Sequence, residues 1–243
     1  MAMEKSRVLI VGGTGYIGRR IVAASLAEGH PTFVLLRPEI GLDIDKLQIL
    51  LAFKAQGARL LEASLDDHDG LVAAVRQVDV VVSAMSGVHL RSHNLMLQLK
   101  LVEAIKEAGN VKMEIRRAIE DAKIPHTYVS SNCFASYFSF FVDEDDVGTY
   151  TIKSIDDPRT LNKTIYIRPQ DNCLTHNELI AMWEKLSGKN MQFAFQVGIT
   201  HFYHIFYEGC LTNFDIGDNG AEATILYPEV QYTRIDEFLK RYL

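Results

Sequence analysis

Near the amino terminus the chain passes from an unbroken apolar run, Val8-Leu9-Ile10-Val11, directly into Gly12-Gly13-Thr14-Gly15-Tyr16-Ile17-Gly18. An apolar, β-branched run that breaks at once into spaced glycines is the pattern of a buried parallel strand turning tightly into a helix. The glycines have separable tasks. Gly12 takes the dihedrals of the turn, Gly15 admits close approach of a ligand, and Gly18 lets the helix pack against the strand. Above such a turn the positive end of the helix points its free N–H groups outward, which suits a pyrophosphate. Glycines also collect in ordinary loops, so the flanks decide: a helix pattern over Tyr16–Glu28 and a second apolar strand, Thr32–Leu36, complete a βαβ unit at the distance a dinucleotide fold requires. Gly12, Gly13, Thr14, Gly15, Tyr16, Ile17 and Gly18 are therefore the expected cofactor loop.

After the second strand, where an NAD enzyme would carry an acidic residue for the ribose hydroxyls, the chain has Arg37-Pro38. An arginine there suits a 2′-phosphate, so NADPH/NADP+ is the expected cofactor. Lys46, at the start of the next helix (45–56), is a candidate second cation. Both also read as ordinary solvated charges. Further on, Arg59–Glu62 reads as a strand, Asp67–Arg76 as a helix, and Asp79-Val80-Val81-Val82-Ser83-Ala84 as a buried strand ending in small residues. Ligands of open parallel sheets sit beyond the carboxyl ends of the strands, so Ser83, Ala84, Met85 and Ser86 are expected to line the cofactor trough, with Gly87, Val88 and His89 continuing its wall.

Composition narrows the function class. The net charge of −6 argues against a nucleic-acid partner, which needs a concentrated positive patch. No apolar run approaches membrane-spanning length, and Met1–Ser6 leads into the first strand without a signal-like segment, so a soluble cytoplasmic protein is expected. Cys133, Cys173 and Cys210 are far apart and read as reduced packing residues. His89 and His93 lack a third ligand, and Asp143-Glu144-Asp145-Asp146 reads as an acidic first helical turn, so no metal is expected.

Asn94–Ala108 has Leu95, Leu99, Val102 and Ile105 at helical spacing for the sheet. An apolar strand should follow Gly109-Asn110, yet the text from Lys112 to Ile119 is already helical in pattern, so a sheet strand is absent. Thr127–Asn132 and Thr164–Arg168 read as strands, and Thr175–Leu186 and Ile235–Leu243 as helices. His201-Phe202-Tyr203-His204 opens an aromatic stretch that suits either core or an aromatic substrate pocket. The fold class is α/β: a Rossmann-type doubly wound parallel sheet over 1–140 with a smaller α/β substrate-binding part over 141–243.

Six stretches together resemble the plant pinoresinol–lariciresinol reductases and, more broadly, the isoflavone reductase-like, NmrA-type branch of the atypical short-chain dehydrogenases/reductases. They are Gly12–Gly18, Arg37–Gly41, Ser83–His89, Leu99–Asn110, Asp156–Thr164 and Leu226–Val230. The chain departs from the family by lacking a Phe-Leu-Pro-Ser-Glu-Phe-Gly strand and loop, a strand with a Gly-Asp-Gly turn, and helical sequence near Asn190–Phe195, as if joined across three stretches. The resemblance implies an NADPH-dependent reductase of phenolic lignans, homodimeric, with a catalytic lysine at a helix start. That lysine maps on Lys112, unless Lys112 is instead the lysine of the family's Gly-Asn-Val-Lys stretch. Positive potential from the helix start and from Arg116, itself a cofactor contact by resemblance, disfavours the ammonium and favours a general base. No Tyr-x-x-x-Lys pair occurs in the chain, so lysine must take the acid/base role. By the same resemblance His201 contacts the substrate, with Val88 and His89. Isoflavone or phenylcoumaran benzylic ether reduction, or NADP(H) sensing without catalysis, are the other readings the family allows.

Overall fold

The computed structural model describes residues 4–38, 43–85, 93–108, 123–131, 142–188 and 215–243. The chain divides into two compact units, Met1–Val129 with Gly148–Thr164, and Ser130–Val147 with Ile165–Leu243.

The first unit is built on β1 (Val8–Val11), β2 (Thr32–Leu36), β3 (Arg59–Glu62) and β4 (Val80–Ser83). They form a four-stranded sheet of order β3-β2-β1-β4. Every described pairing is parallel, with Leu9 opposite Phe33 and Val81, and Phe33 opposite Arg59. Helices α1 (Gly18–Ala27), α2 (Ile44–Ala55), α3 (His68–Val75) and α4 (His93–Ala108) connect and follow the strands. Successive strand residues point to opposite faces, and the chain uses both. Leu9, Val11, Phe33, Leu35 and Val81 pack with Leu71, Val75, Leu101 and Ile105 of α3 and α4. Val8, Ile10, Val34, Val80 and Val82 pack with Ile21 and Val22 of α1, Leu50 and Phe53 of α2, and Ile152 and Ile155 of a later helix, α5 (Glu144–Ile155). Each fully buried aliphatic side chain contributes about 1.5–3 kcal/mol of transfer free energy, so this two-sided core dominates the unit. The doubly wound α/β expectation holds.

The amino end of this sheet is stapled. Arg7 donates to Asp79 from its backbone amide at 2.8 Å and from its guanidinium at 2.7 Å, and Ser6 Oγ bonds Asp156 at 2.5 Å. The carboxyl end is left to loops.

Two expectations change in the structure. The stripe of α4 is rotated: Leu101, Val102, Ala104 and Ile105 are buried, whereas Leu99 is among the exposed large hydrophobics. Its side chain falls outside the arc that α3 and the sheet cover. Cys173 is exposed rather than packed, its thiol against the Pro169 carbonyl at 3.5 Å. Cys133 and Cys210 lie outside the described residues.

Strands β5 (Thr127–Ser130), β6 (Lys163–Tyr166) and β7 (Gly220–Glu222) make a separate three-stranded sheet of order β5-β6-β7. The described strands thus fall into two sheets with the break between β4 and β5, where the sequence lacks an expected strand. The boundary between units runs through β5 and β6.

In the second unit, α6 (His176–Ser187) begins with a capping box, Thr175 and Glu178 bonding reciprocally, and ends on Gly188 in the left-handed conformation. Its Leu179, Met182, Trp183 and Leu186 pack against Ile235, Phe238 and Leu239 of the short α8 (Ile235–Leu239). The intervening α7 (Ala223–Leu226) is capped by Glu222. Sequence periodicity extends the last helix to Leu243, but it tightens to a 3-10 turn at Lys240–Tyr242. The acidic cluster forms the cap and first turn of α5, as expected. Asp143 accepts from the Asp145 amide at 2.9 Å and from Arg241 at 2.6 Å, and Asp146 accepts from the Thr233 amide at 2.8 Å.

Candidate active site

The sheet order reverses at β1: β2 lies to one side and β4 to the other. At such a switch point the loops after neighbouring strands diverge and open a crevice for a ligand. The loop after β1 is the glycine segment. Gly12 has φ +83°, and a Cβ there would lie 2.8 Å from the Ala84 carbonyl oxygen and 3.2 Å from the Met85 amide. The turn and the end of β4 are therefore in backbone contact, tied by Ala84 N–H to the Val11 carbonyl at 2.8 Å. A Cβ on Gly18 would collide with the Gly12 carbonyl, so α1 can start only this close to the strand without a side chain there. The turn is closed by Gly15 N–H to the Gly12 carbonyl at 2.9 Å.

The start of α1 is chemically bare. Its N-cap, Ile17, makes no side-chain capping bond, and the first turn has no acidic residue. By contrast α2 and α3, in the same unit, are capped by Asp43 and Asp67. An uncapped first turn with glycines before it presents N–H donors and the positive end of the helix dipole to an anion. The residues present fit a dinucleotide pyrophosphate.

The structure brings together Gly12, Gly13, Thr14, Gly15, Tyr16, Ile17 and Gly18 with Ser83, Ala84 and Met85, the last three half-buried at the carboxyl end of β4. Arg37 is exposed, directly after β2 at the same end of the sheet. Lys46 is already engaged: its ammonium lies 2.5 Å from Asp43, the residue that caps α2 through the Lys46 amide at 3.1 Å. That contact holds the Asp43 carboxyl below its ordinary range. A phosphate contact by Lys46 would have to share it with Asp43. Ser86, Val88, His89, Lys112, Arg116 and His201 lie outside the described residues.

Sequence reasoning missed two residues beside this loop. Arg20 on α1 reads as a solvated cation, and Gly148 on α5 as a poor helix former. In the structure Arg20 Nη1 donates to the Tyr16 carbonyl at 2.8 Å, and a Cβ on Gly148 would lie 2.7 Å from the Arg20 carbonyl oxygen. A glycine inside an otherwise helical pattern is the one sign of such a close approach that a sequence offers.

Residues 4–113 and 139–239 match the model of the NmrA-like family. The chain belongs to that family. An isoflavone reductase homolog from Lupinus albus is 54% identical across 99% of this chain and 100% of its own length. A bifunctional pinoresinol-lariciresinol reductase from Linum perenne is 51% identical over the same shares. Among solved structures, one of AtPrR2 with NADP+ and (+)pinoresinol superposes with a TM-score of 0.89 at 48% identity, covering 99% of both chains. The resemblance read from the six stretches therefore holds. Alignment with the Lupinus albus relative runs over 312 positions against the 243 residues of this NmrA-like chain, the excess being residues of the relative without a counterpart here. The family match pauses between 113 and 139, in the same part of the chain where the described strands separate into two sheets.

Proposed function

We propose that this NmrA-like protein is an NADPH-dependent lignan reductase that converts pinoresinol to lariciresinol and onward to secoisolariciresinol. The observation that carries this is the near-complete structural match to a protein holding NADP+ and (+)pinoresinol, joined to the glycine loop and bare helix start described above. Residues 1–140 serve the cofactor and 141–243 mainly the substrate. The protein works in the cytoplasm as a homodimer. Among the described residues no helix is long and apolar enough to cross a membrane.

Bound NADPH supplies hydride to the benzylic carbon. The chain supplies position and proton control. Gly12–Gly18 and the α1 start would hold the pyrophosphate, Arg37 the 2′-phosphate with Lys46 shared between that phosphate and Asp43, and Ser83–Ser86 with Arg116 would line the trough. Lys112 removes the phenol proton para to the benzylic ether. Electrons then flow through the ring, the benzylic C–O bond breaks with its electron pair leaving on oxygen, and a quinone methide forms. Hydride addition at the benzylic carbon would restore the phenolate, which takes back its proton from Lys112, while the alkoxide takes a proton from water to give the product alcohol, so that one solvent proton is consumed for each hydride transferred. His201, Val88 and His89 contact the phenolic substrate, His201 as hydrogen-bond partner to an oxygen.

NADPH oxidation measured side by side with (+)- and (−)-pinoresinol, lariciresinol, an isoflavone and a phenylcoumaran tests the proposal. Turnover of a lignan supports it. Turnover confined to the isoflavone or the phenylcoumaran moves the activity to that ring system. The second reading the family allows is an NADP(H) sensor without catalysis. NADPH binding without turnover of any of these substrates is its signature.

A further inference from the structure

Arg20 sits in the first turn of α1, half-buried. Its guanidinium lies 4.4 Å from the centroid of the Tyr16 ring, and its Nη1 donates to the Tyr16 carbonyl at 2.8 Å. Its own backbone amide bonds the Ile17 carbonyl at 2.9 Å, so side chain and main chain of one residue tie down two consecutive carbonyls of the turn. The backbone of Arg20 is fixed from behind, since α5 crosses so closely at Gly148 that a Cβ there would stand 2.7 Å from the Arg20 oxygen and 3.3 Å from the Ile21 nitrogen. A planar guanidinium can stack on a ring and donate along its edge at once, which an ammonium cannot reproduce.

We propose that Arg20 is a positioning residue for the dinucleotide: anchored at its backbone against Gly148, it grips the ring and carbonyl of Tyr16 and so holds the Tyr16–Gly18 amides in line for the pyrophosphate. The inference rests on the NADP(H)-binding reading above and deepens it. Arg20 acts through Tyr16 and does not itself hold a phosphate. The pyrophosphate is common to NADPH and NADH, so the effect of Arg20 is the same for both, unlike that of a residue reading the 2′-phosphate.

The test is fluorescence titration of NADPH and NADH into wild type, Arg20→Met and Arg20→Lys, with kcat at saturating NADPH and the thermal midpoint of each protein without nucleotide. Arg20→Met is expected to weaken both nucleotides by about tenfold with kcat within about twofold, and Arg20→Lys to recover less than half of the loss because it keeps charge but not the planar fork. Unchanged affinity in Arg20→Met overturns the inference. Full recovery in Arg20→Lys also overturns it, leaving charge alone as the cause, as does a loss confined to NADPH. Should Arg20→Met fail to fold, Arg20→Lys decides: a loss of about threefold or more for both nucleotides at an unchanged thermal midpoint supports the grip, and wild-type affinity removes it. Wild type that takes up neither nucleotide defeats the reductase reading itself, an outcome separate from any of these.

Discussion

The first turn of α1 has no acidic residue and Ile17 gives it no side-chain cap, whereas α5 opens with Glu144, Asp145 and Asp146, preceded by Asp143. Both helix starts present the same donors and the same positive end. At α5 the chain supplies its own carboxylates, and all but the exposed Asp145 are taken out of water: Asp143 is 2% exposed, Glu144 3% and Asp146 6%. Arg241 neutralises Asp143. Asp146 accepts the Thr233 amide, but burial outweighs that bond and, with Asp143 and Asp145 nearby, pushes its carboxyl up to about 7. At α1 no side chain caps the start and no carboxylate stands in the first turn, which is where the proposal puts the cofactor's pyrophosphate.

The contrast can be broken most severely at Gly18. Gly18→Ala places a methyl against the Gly12 carbonyl and forces α1 away from the strand, so NADPH affinity is expected to fall on the order of a hundredfold by fluorescence titration. A loss under threefold would mean that the loop does not carry the pyrophosphate.

A stability effect of similar size is expected for Asp146→Asn. An acid whose folded pKa is raised holds a proton that the unfolded chain releases, so its contribution to stability is greatest below about pH 4, falls as pH rises towards about 7, and is flat above. The amide removes that fall while keeping an acceptor for Thr233. Denaturant unfolding at pH 8 should show a gain of up to about 4 kcal/mol over wild type, vanishing near pH 4. NADPH affinity should not move. A wild-type stability that is flat between pH 4 and 7 contradicts the buried-acid account.

Arg37→Ser is expected to cost about tenfold in NADPH affinity and nothing in NADH affinity, since it removes only a charge for the extra phosphate. Equal losses for both nucleotides would assign Arg37 elsewhere. The smallest effect belongs to Asp67→Ala. It uncaps α3, whose Gly70 amide Asp67 accepts at 3.1 Å, and should lower stability by about 1 kcal/mol with nucleotide binding unchanged. An effect on NADPH affinity here would erase the distinction between structural and ligand-facing helix starts.

Strands β1, β2 and β4 were legible because each carries a continuous apolar run bounded by turn residues, β3 has only Leu60 and Leu61 between charged ends, and β2 and β3 were placed to the residue. The glycine loop was legible because its steric demand is local: a positive φ at Gly12 and a missing Cβ at Gly18 concern residues a few positions apart. The face of α4 was read in part: Val102 and Ile105 are buried as expected, and Leu99 is not. Leu95, Leu99, Val102 and Ile105 satisfy a helical period, but Leu101 and Ala104 are also buried, and which arc of an apolar-rich helix is covered depends on what packs beside it.

What the sequence alone determined was the parallel α/β unit, the turn that can seat a pyrophosphate, the arginine after β2 and the membership in a reductase-like family, because each depends on residues near one another along the chain. What only the tertiary structure decided was which groups meet across long separations. Arg241 reaches Asp143, burial pushes the Asp146 carboxyl up to about 7, and Gly148 on α5 closes on the Arg20 carbonyl. Contact and desolvation depend on packing in three dimensions, and no local pattern of residues encodes them.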